Sequence, residues 1–261
     1  MPDLSIQQYQ LVFNLFSFTF ACMLAAFIFF VLMRPQLAPQ YRVALTMSAL
    51  VVVVAGYHYF RISESWTAAY TLQNGVYVAS GLPFNDAYRY IDWLLTVPLL
   101  VAELVFVINP RNRGRLTFTL AVAAGLMVIL GYPGEVATDN GTRALWGFLS
   151  TLPFVYIVWT LFSGLGTSMN EQTAHVRVLI RNTRLLLLAT WGFYPIVYLL
   201  PILGVTGASA VIAVQVGYSI ADVAAKAVYG LMIYSIANEK SKLAGWNYEM
   251  SEQKTAPAVG D

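Results

Sequence analysis

The residues best suited to chemistry in this sequence lie between Arg89 and Glu103, within an apolar run from Tyr88 to Ile108 that is long enough to cross a bilayer as a helix. Placing one ionisable group at membrane depth costs roughly 2.5–3.5 kcal/mol, so charges in such a run indicate a functional site that faces the protein interior. In a helix, the eleven-residue step from Asp92 to Glu103 gives a net rotation of about 20° and a rise of about 16 Å. We therefore expect two carboxyl groups, both able to exchange protons, on one helix face along the membrane normal.

A second pair of ionisable residues lies near the end of the apolar sequence. Lys226 is the only lysine before the polar tail, and Asp222 precedes it by one helical turn on the same face. A buried lysine is strongly disfavoured as an ammonium, and desolvated amines are those that form Schiff bases with aldehydes. The pair therefore predicts either a covalent site for an aldehyde or a structural Asp–Lys ion pair inside a helix bundle.

The composition is typical of an integral membrane protein. Of the 261 residues, 58% are hydrophobic and 11% are charged, with a mean hydropathy of +0.64, whereas a soluble domain carries about 25% charged residues. The single cysteine, Cys22, excludes an intramolecular disulfide, and two histidines, His58 and His175, are too few for a metal cluster. The sequence indicates no nucleic-acid partner and no enzymatic chemistry.

Seven apolar segments are long enough to span a membrane, and they fall at residues 7–33, 41–62, 86–108, 114–132, 142–165, 174–202 and 208–237. Cationic residues cluster on alternate connections and in the tail, whereas the opposite side holds only Arg61 and Arg143. By the positive-inside rule we expect an all-α membrane protein, a bundle of seven transmembrane helices with its N-terminus outside. The predicted domains are a membrane domain over residues 1–238 and a polar cytoplasmic tail over residues 239–261.

The connection between the second and third helices is long and contains an Asn74-Gly75 step between strand-prone residues. Asn-Gly favours positive φ at both central positions of a type I′ turn, the turn that joins two antiparallel strands. Residues 71–78 therefore predict an extracellular β-hairpin at this point.

The third segment resembles the third helix of the microbial rhodopsins in its succession of Arg89, Asp92-Trp93, Thr96, Pro98 and Glu103. The Asp–Thr–Glu triplet is similar to that of the proteorhodopsin and xanthorhodopsin group of light-driven outward proton pumps. The resemblance implies all-trans retinal on Lys226 as a protonated Schiff base, with Asp92 as proton acceptor and counterion and Glu103 as cytoplasmic proton donor. It also implies that Asp222 is a second counterion, so that with Arg89 two positive charges balance two negative ones.

The same resemblance implies a set of residues that encloses retinal. Singly, each aromatic member is as well explained by an ordinary helix core, but together with Lys226 and Asp92 they favour a chromophore site. Leu100 matches a position where an apolar residue goes with green rather than blue absorption. The expected lining residues are Trp93, Val97, Leu100, Met127, Trp146, Gly147, Ser150, Thr151, Phe154, Trp191, Tyr194, Pro195 and Tyr198.

Two polar residues of the second segment are expected to face the third. His58 matches the family's histidine that is hydrogen bonded to the proton acceptor, and would adjust the proton affinity of Asp92 and couple protomers. If His58 stands level with Asp92, antiparallel geometry places Ser48 roughly 15 Å nearer the cytoplasm, at the depth of Glu103. We therefore predict a Ser48–Glu103 hydrogen bond that helps to hold the donor carboxyl protonated in an apolar setting.

Gly147 stands where archaeal relatives have a tryptophan. In the xanthorhodopsin-like branch this glycine opens a window beside the retinal ring, through which a carotenoid antenna can dock. A small residue that permits close helix contact is the other interpretation. The link over residues 201–207 carries no carboxylate, so the paired external glutamates of the archaeal pump are absent.

The resemblance further implies a multi-pass protein of the plasma (inner) membrane of a prokaryote, with the proton as transported ion, the lipid bilayer as surroundings and a homo-oligomer, trimer or pentamer, as assembly. The first alternative is a photosensory rhodopsin that signals through a partner protein, against which Glu103 argues, because slow-cycling sensors usually lack that donor. A chloride pump would favour a neutral residue at Asp92, and the sodium pumps carry Asn, Asp and Gln at the motif positions. In a seven-helix receptor without retinal, the Asp222–Lys226 pair would have no role.

Overall fold

The computed structural model describes residues 1–200, 202–246 and 248, with the side chain of Thr167 left out. Within these ranges the chain is almost entirely helical, and short 3-10 turns at Arg34–Gln36 and Pro39–Tyr41 connect the first two helices. The helices are α1 Ile6–Met33, α2 Arg42–Ala69, α3 Ala87–Ile108, α4 Arg113–Glu135, α5 Asn140–Ser163, α6 Gly166–Asn170, α7 Ala174–Leu199, α8 Gly207–Asp222 and α9 Tyr229–Leu243. A π-helical segment, Val223–Val228, joins α8 and α9 into one continuous rod.

The predicted seven-helix membrane fold is confirmed. Six helical stretches of the described chain are long and apolar enough to span a bilayer, and one of them is the composite rod Gly207–Leu243. The remaining long helix, α7, has membrane length, but its first three turns carry Arg177, Arg181 and Arg184. These arginines fall on the predicted cytoplasmic side, where cationic residues are favoured. The tail predicted over residues 239–261 lies mostly outside the described residues, and α9 extends to its fifth residue.

The predicted hairpin is also confirmed, and it belongs to a larger sheet. Strands β2 (Tyr70–Gln73) and β3 (Val76–Ala79) pair antiparallel, and their turn has φ of 49° at Asn74 and 82° at Gly75. A third strand, β1 (Leu4–Ser5), pairs with the other edge of β3, giving the order β1-β3-β2. With two residues, β1 is too short to show a strand periodicity in the sequence.

The sheet anchors the N-terminal residues of the chain. The Tyr70 hydroxyl donates a hydrogen bond to the Pro2 carbonyl at 3.3 Å, and partial burial together with the Asp3 charge raises the pKa of Tyr70 to about 12. Directly after β1, Ser5 caps α1, because its Oγ accepts from the Gln8 amide at 3.2 Å while the Gln8 side chain accepts from the Ser5 amide at 2.9 Å. The start of the first transmembrane helix is therefore anchored at the outer surface.

Helix α3 is central in the bundle and α5 is peripheral. In the most apolar stretch of each helix, 61% of the α3 residues are buried against 17% of the α5 residues. Large apolar side chains of α4 and α5, such as Phe118, Phe148 and Trp159, are exposed as expected for surfaces that face lipid. The ionisable residues of α3 therefore lie in the interior of the bundle, where other helices can supply their partners.

Candidate chromophore and proton-transfer site

Lys226 lies at the middle of the bundle, in the π-helical segment between α8 and α9, and is buried. Its Nζ is hydrogen bonded to Asp92 Oδ2 of α3 and lies 3.0 Å from Asp222 Oδ1. A π-helical turn widens the backbone locally and occurs frequently at functional sites. The structure thus pairs Lys226 with Asp222, as their spacing predicted, and adds Asp92 as a second buried carboxylate beside the lysine amine.

The two carboxylates differ in their other contacts. Asp222 accepts hydrogen bonds from the Tyr59 hydroxyl at 2.8 Å and from the Tyr194 hydroxyl at 2.5 Å. Among the described residues, no donor reaches Asp92 Oδ1, so the Lys226 amine is the one hydrogen-bond donor to the Asp92 carboxylate. Phenol donors stabilise the negative charge of Asp222, whereas Asp92 depends on the lysine for that stabilisation.

Arg89 is buried just outside this pair, and its guanidinium makes three polar contacts. Nη1 donates to the Tyr59 hydroxyl at 3.2 Å, Nη2 donates to Gln215 Oε1 at 2.5 Å, and Nε donates to Asp86 Oδ1 at 2.7 Å. The network therefore contains residues besides the four charged groups that were predicted to balance one another. Tyr59 connects Arg89 to Asp222, and Asp86 adds a third carboxylate on the outer side.

His58 lies near Asp92 without forming the expected hydrogen bond. Its Nδ1 is 2.9 Å from the Val54 carbonyl and 3.9 Å from Asp92 Oδ1, which is too long for a hydrogen bond. The carbonyl one helical turn earlier takes the ring N–H instead, which is a common arrangement for polar side chains within helices. Thr96 similarly donates to the Asp92 main-chain carbonyl at 2.9 Å rather than to the carboxylate.

Glu103 is buried on the inner half of α3, in a run from Val101 to Val105 in which every residue is buried. The predicted Ser48–Glu103 hydrogen bond is present, since Ser48 Oγ contacts Glu103 Oε2. A hydroxyl stabilises a carboxylate more than a neutral acid, so the apolar surroundings, and not Ser48 as expected, hold the carboxyl protonated. The Ser48 hydroxyl also lies 3.4 Å from the Ala44 carbonyl, so it can donate there while its oxygen accepts from a protonated Glu103. Within the described chain, Glu103 Oε1 has no hydrogen-bond partner.

A cavity of about 310 Å³ extends from Lys226 between α3, α4, α5 and α7. The wall contains every predicted retinal-lining residue except Trp146, which lies on α5 beside Gly134 of α4, where an added Cβ would be 3.0 Å from the Trp146 Cβ. The pattern of residues along α5 did not show that Trp146 lies outside the wall of the cavity, whereas its neighbour Gly147 lines it. Further residues of the wall were not predicted, and these are Tyr90, Val128, Gly131, Ala144, Phe148, Leu199, Tyr218 and Ala225.

The cavity fits a long apolar aldehyde such as retinal. Its wall is aromatic and aliphatic, with Trp93 and Trp191 among the large side chains, and it has one amine, Lys226, among the described residues. Trp93 packs edge-on against Tyr194, with 5.0 Å between the ring centres, which fixes one end of the cavity beside the charged residues. An apolar cavity that ends at a desolvated amine has the chemistry needed to form and shield a Schiff base.

Gly147 lines the same cavity and also permits a close contact between α5 and α7. A Cβ built on Gly147 would lie 2.7 Å from Cε1 of Tyr198, so a larger residue would displace the Tyr198 ring. The neighbouring Phe148 and Thr151 line the cavity and are exposed. Both interpretations made from the sequence, close helix contact and an opening towards lipid, are therefore compatible with this position.

Comparison with known proteins identifies the family. The family model described as bacteriorhodopsin-like protein matches residues 11–240. The green-light absorbing proteorhodopsin of Gamma-proteobacterium EBAC31A08 is 30% identical over 229 residues, which cover 86% of this chain and 85% of that protein. The chain belongs to the bacteriorhodopsin-like family of microbial rhodopsins.

Two solved structures are similar over almost the whole chain. Xanthorhodopsin, described as a light-driven ion pump with dual chromophore, is 57% identical with a TM-score of 0.91, covering 95% of this chain and 100% of that one. Thermophilic rhodopsin is 51% identical with a TM-score of 0.90, covering 94% and 100%. The chain is thus a proteorhodopsin- and xanthorhodopsin-like rhodopsin, a multi-pass membrane protein of the kind found in prokaryotes.

Several residues of the site were not found from the sequence. Tyr59 and Gln215 are polar residues within apolar helices, and that isolation is the signal that could have found them. Asp86 stands immediately before α3, at a place where a carboxylate is favourable for a helix N-terminus and needs no further function. Their roles depend on packing between helices, which the periodicity of a single helix does not give.

Proposed function

We propose that this protein is a light-driven outward proton pump that carries all-trans retinal on Lys226. The observation that supports it most strongly is the position of the Lys226 amine between Asp92 and Asp222. A further buried carboxyl, Glu103, lies nearer the cytoplasm on α3, the helix that carries Asp92. Membership of a family of light-driven ion pumps and sensors supplies the general activity. The residue roles and the direction of transport are inferred from the contacts of these four side chains.

Asp92 is the proposed proton acceptor. Its Oδ2 is already hydrogen bonded to Lys226 Nζ, so a proton can pass along that contact without rearrangement of the backbone. Retinal, when bound, supplies light absorption and a change of shape that alters the orientation and proton affinity of the Lys226 nitrogen. Asp222 is held by two phenols and keeps its negative charge, which stabilises the cationic form of the lysine nitrogen before the transfer.

Glu103 is the proposed donor that returns a proton to the lysine nitrogen from the cytoplasmic side. Ser48 can accept a hydrogen bond from the protonated carboxyl or donate one to the carboxylate, and so it serves both protonation states. The apolar surroundings of Glu103 disfavour its charge, so it holds its proton until the lysine nitrogen has lost one.

Outward direction requires that the lysine nitrogen faces Asp92 when it loses a proton and Glu103 when it gains one. Helix α7 is the proposed moving element, because Pro195 interrupts its hydrogen-bond ladder and lines the retinal cavity. Movement of α7 away from the inner half would open a path from the cytoplasm to Glu103.

The external pH of a weakly buffered suspension of cells that express the protein with all-trans retinal tests this function. Illumination should acidify the medium, and a protonophore should abolish the change. The Asp92→Asn variant should remain coloured and lose the acidification. Coloured cells without any pH change would contradict pumping and favour the photosensory alternative, although the buried Glu103–Ser48 contact supports the pump.

We further propose that a carotenoid antenna binds beside Gly147. Ala144, Phe148 and Thr151 line the retinal cavity from α5 and are exposed, so a lipid-soluble polyene could approach the retinal ring there. Addition of a hydroxylated carotenoid should produce energy transfer in the excitation spectrum, and the Gly147→Trp variant should abolish it. An excitation spectrum unchanged by the carotenoid would contradict binding.

The homo-oligomer, trimer or pentamer, stays a prediction that mass determination in mild detergent would check.

A further inference from the structure

The outer side of the bundle contains a carboxyl group that the roles above do not use. Glu135 is the last residue of α4, and its side chain is about a quarter exposed, at 26%. It lines an outer cavity of about 330 Å³, together with Asp86 and Gln215. Since Asp86 and Gln215 are both hydrogen bonded to Arg89, this cavity begins where the network around Lys226 ends.

Arg143 lies beside Glu135 and is held by main-chain carbonyls. Its Nη2 donates to the main-chain carbonyls of Glu135 at 2.9 Å and of Ala137 at 3.4 Å. Its Nη1 is 3.5 Å from Glu135 Oε2, and among the described residues no donor is hydrogen bonded to that oxygen, which is itself buried. The arginine therefore supplies a positive charge at a fixed place, while the carboxyl keeps an oxygen available for a proton.

A tyrosine connects this ion pair to the wall of the retinal cavity. The Tyr198 hydroxyl donates to the Arg143 carbonyl at 2.6 Å, and the Arg143 guanidinium lies over the Tyr198 ring at 5.3 Å. Tyr198 belongs to α7 and lines the retinal cavity beside Gly147. A displacement of α7 thus changes the hydrogen bond and the ring contact between Tyr198 and Arg143, and with them the influence of the Arg143 charge on the proton affinity of Glu135.

We propose that Glu135 is the proton-exit carboxyl, a deepening that rests on the proposed outward pump. The carboxylate of Glu135 takes up a proton that leaves the Arg89–Asp86 side of the outer cavity and becomes a carboxylic acid. It loses that proton to the external medium when Tyr198 again contacts Arg143 and the Arg143 charge favours the carboxylate. The link between α7 and α8 carries no carboxylate, so Glu135 and Asp86 are the carboxyl groups that line this cavity within the described chain.

Other ionisable groups face Glu135 and will shape its titration. They come from the residues before α3 and from α3, α5, α7 and α8, so a change at any one of them shifts the pH at which the proton is released. These groups are Asp86, Arg89, Tyr90, Arg143, Tyr198 and Tyr218.

The test is the timing of proton appearance outside after a light flash, followed with a pH-sensitive dye on the retinal-bound protein. The Glu135→Gln variant should keep its colour and delay the signal by about tenfold, which is less than the roughly 100-fold loss typical of a positioned proton-transfer group, because Asp86 still lines the cavity. The matched control is Glu64→Gln, which removes an exposed outer carboxylate that pairs with Arg61 at 3.1 Å and does not line the cavity. A Glu135→Gln variant that releases its proton as early as the control would overturn the proposal.

A second measurement covers the case in which Glu135→Gln does not take up retinal. The Glu135→Asp variant keeps a carboxyl, and in light-minus-dark infrared spectra its C=O stretching band should shift from that of the unmodified protein. Identical carboxyl bands in the two proteins would overturn the proposal. The absence of any proton signal from the coloured, unmodified protein would instead contradict the pump itself.

Discussion

The outer and inner halves of the proposed proton path differ in the number of polar groups around each carboxyl. On the outer half, Asp222 and Arg89 share Tyr59, and Arg89 also binds Asp86 and Gln215. On the inner half, Glu103 has one hydrogen-bonding side chain in the described chain, Ser48, within a buried stretch of α3. The outer half is a connected polar network, and the inner half is a single carboxyl in an apolar medium.

This difference assigns different tasks to the two halves. A connected network offers several routes for a proton, so loss of one member leaves others in place. A single buried carboxyl gives one route, and the apolar residues around it prevent leakage when it is not in use. The inner half should therefore be sensitive to single substitutions, whereas the outer network around Asp222 and Arg89 should tolerate them.

Apart from Asp92→Asn, which stops transport, the largest effect is expected from Glu103→Gln, which removes the one proposed inner carboxyl. The rate of light-driven acidification at neutral pH should fall by about 100-fold, because the lysine nitrogen must then take its proton directly from the cytoplasm. Lowering the internal pH should restore the rate by about tenfold per pH unit, since the supply becomes proportional to proton concentration. Proton transport by the variant and its dependence on internal pH can be measured in vesicles.

The matched control for this variant is Glu171→Gln, which removes an exposed cytoplasmic carboxylate 3.6 Å from Arg111. It should pump at the original rate. Equal pumping rates for Glu103→Gln and Glu171→Gln would contradict the proposed difference between the two halves, because the inner half would then have a second route for the proton.

Ser48→Ala should give the next largest effect. The serine hydroxyl interacts with Glu103 in both protonation states, but a hydrogen bond to a charged carboxylate is about twice as strong as one to a neutral acid. Its loss therefore penalises the carboxylate more and slows proton donation by about fivefold, which corresponds to about 1 kcal/mol. Flash kinetics of the return to the dark state measure this step, and Ser48→Thr, which keeps the hydroxyl, should retain most of the rate.

The residues along one helix could be predicted from the sequence, whereas contacts between helices mostly could not. The depth and face of Asp92, Glu103, Asp222 and Lys226 follow from the rotation and rise of a helix, and all four lie where these parameters place them. The Ser48–Glu103 contact could be predicted because the rise per residue gives the depth of each residue in two antiparallel helices. That reasoning uses position along the axis alone.

The predictions that were wrong have a common cause. The direction in which a side chain points from its helix axis does not follow from its depth in the membrane. His58 stands at the expected depth, yet its ring bonds to the Val54 carbonyl, and Trp146 lies on the right helix but outside the cavity. Tyr59 and Gln215 join the network only because α2 and α8 pack against α3 at these points. Depth is fixed by chain geometry, but the direction of a side chain is chosen by the neighbours that satisfy it.

A smaller effect is expected from Tyr59→Phe on the outer half. Asp222 keeps the Tyr194 hydroxyl and the Lys226 amine, so the pump rate should fall by about twofold at most. Tyr194→Phe is the matched variant on the other oxygen of Asp222. The double variant should lose more than the sum of the two free-energy changes, by about 0.5–3 kcal/mol, because the carboxylate then has no phenol donor. Strict additivity of the three rates would show that the phenols do not share one network.

The smallest effect on transport is expected at the outer sheet, which positions the network without belonging to it. Gly75 has φ of 82° and no atom within 4 Å of a built Cβ, so Gly75→Ala costs only the backbone strain, about 1 kcal/mol. The midpoint of thermal loss of colour should fall slightly while the pump rate stays unchanged. Gly125→Ala on α4 also has an open Cβ position but lacks the positive φ, so it should keep or slightly raise that midpoint. A reduced pump rate in Gly75→Ala at full colour would mean that the hairpin takes part in proton exit, and would extend the outer network as far as the sheet.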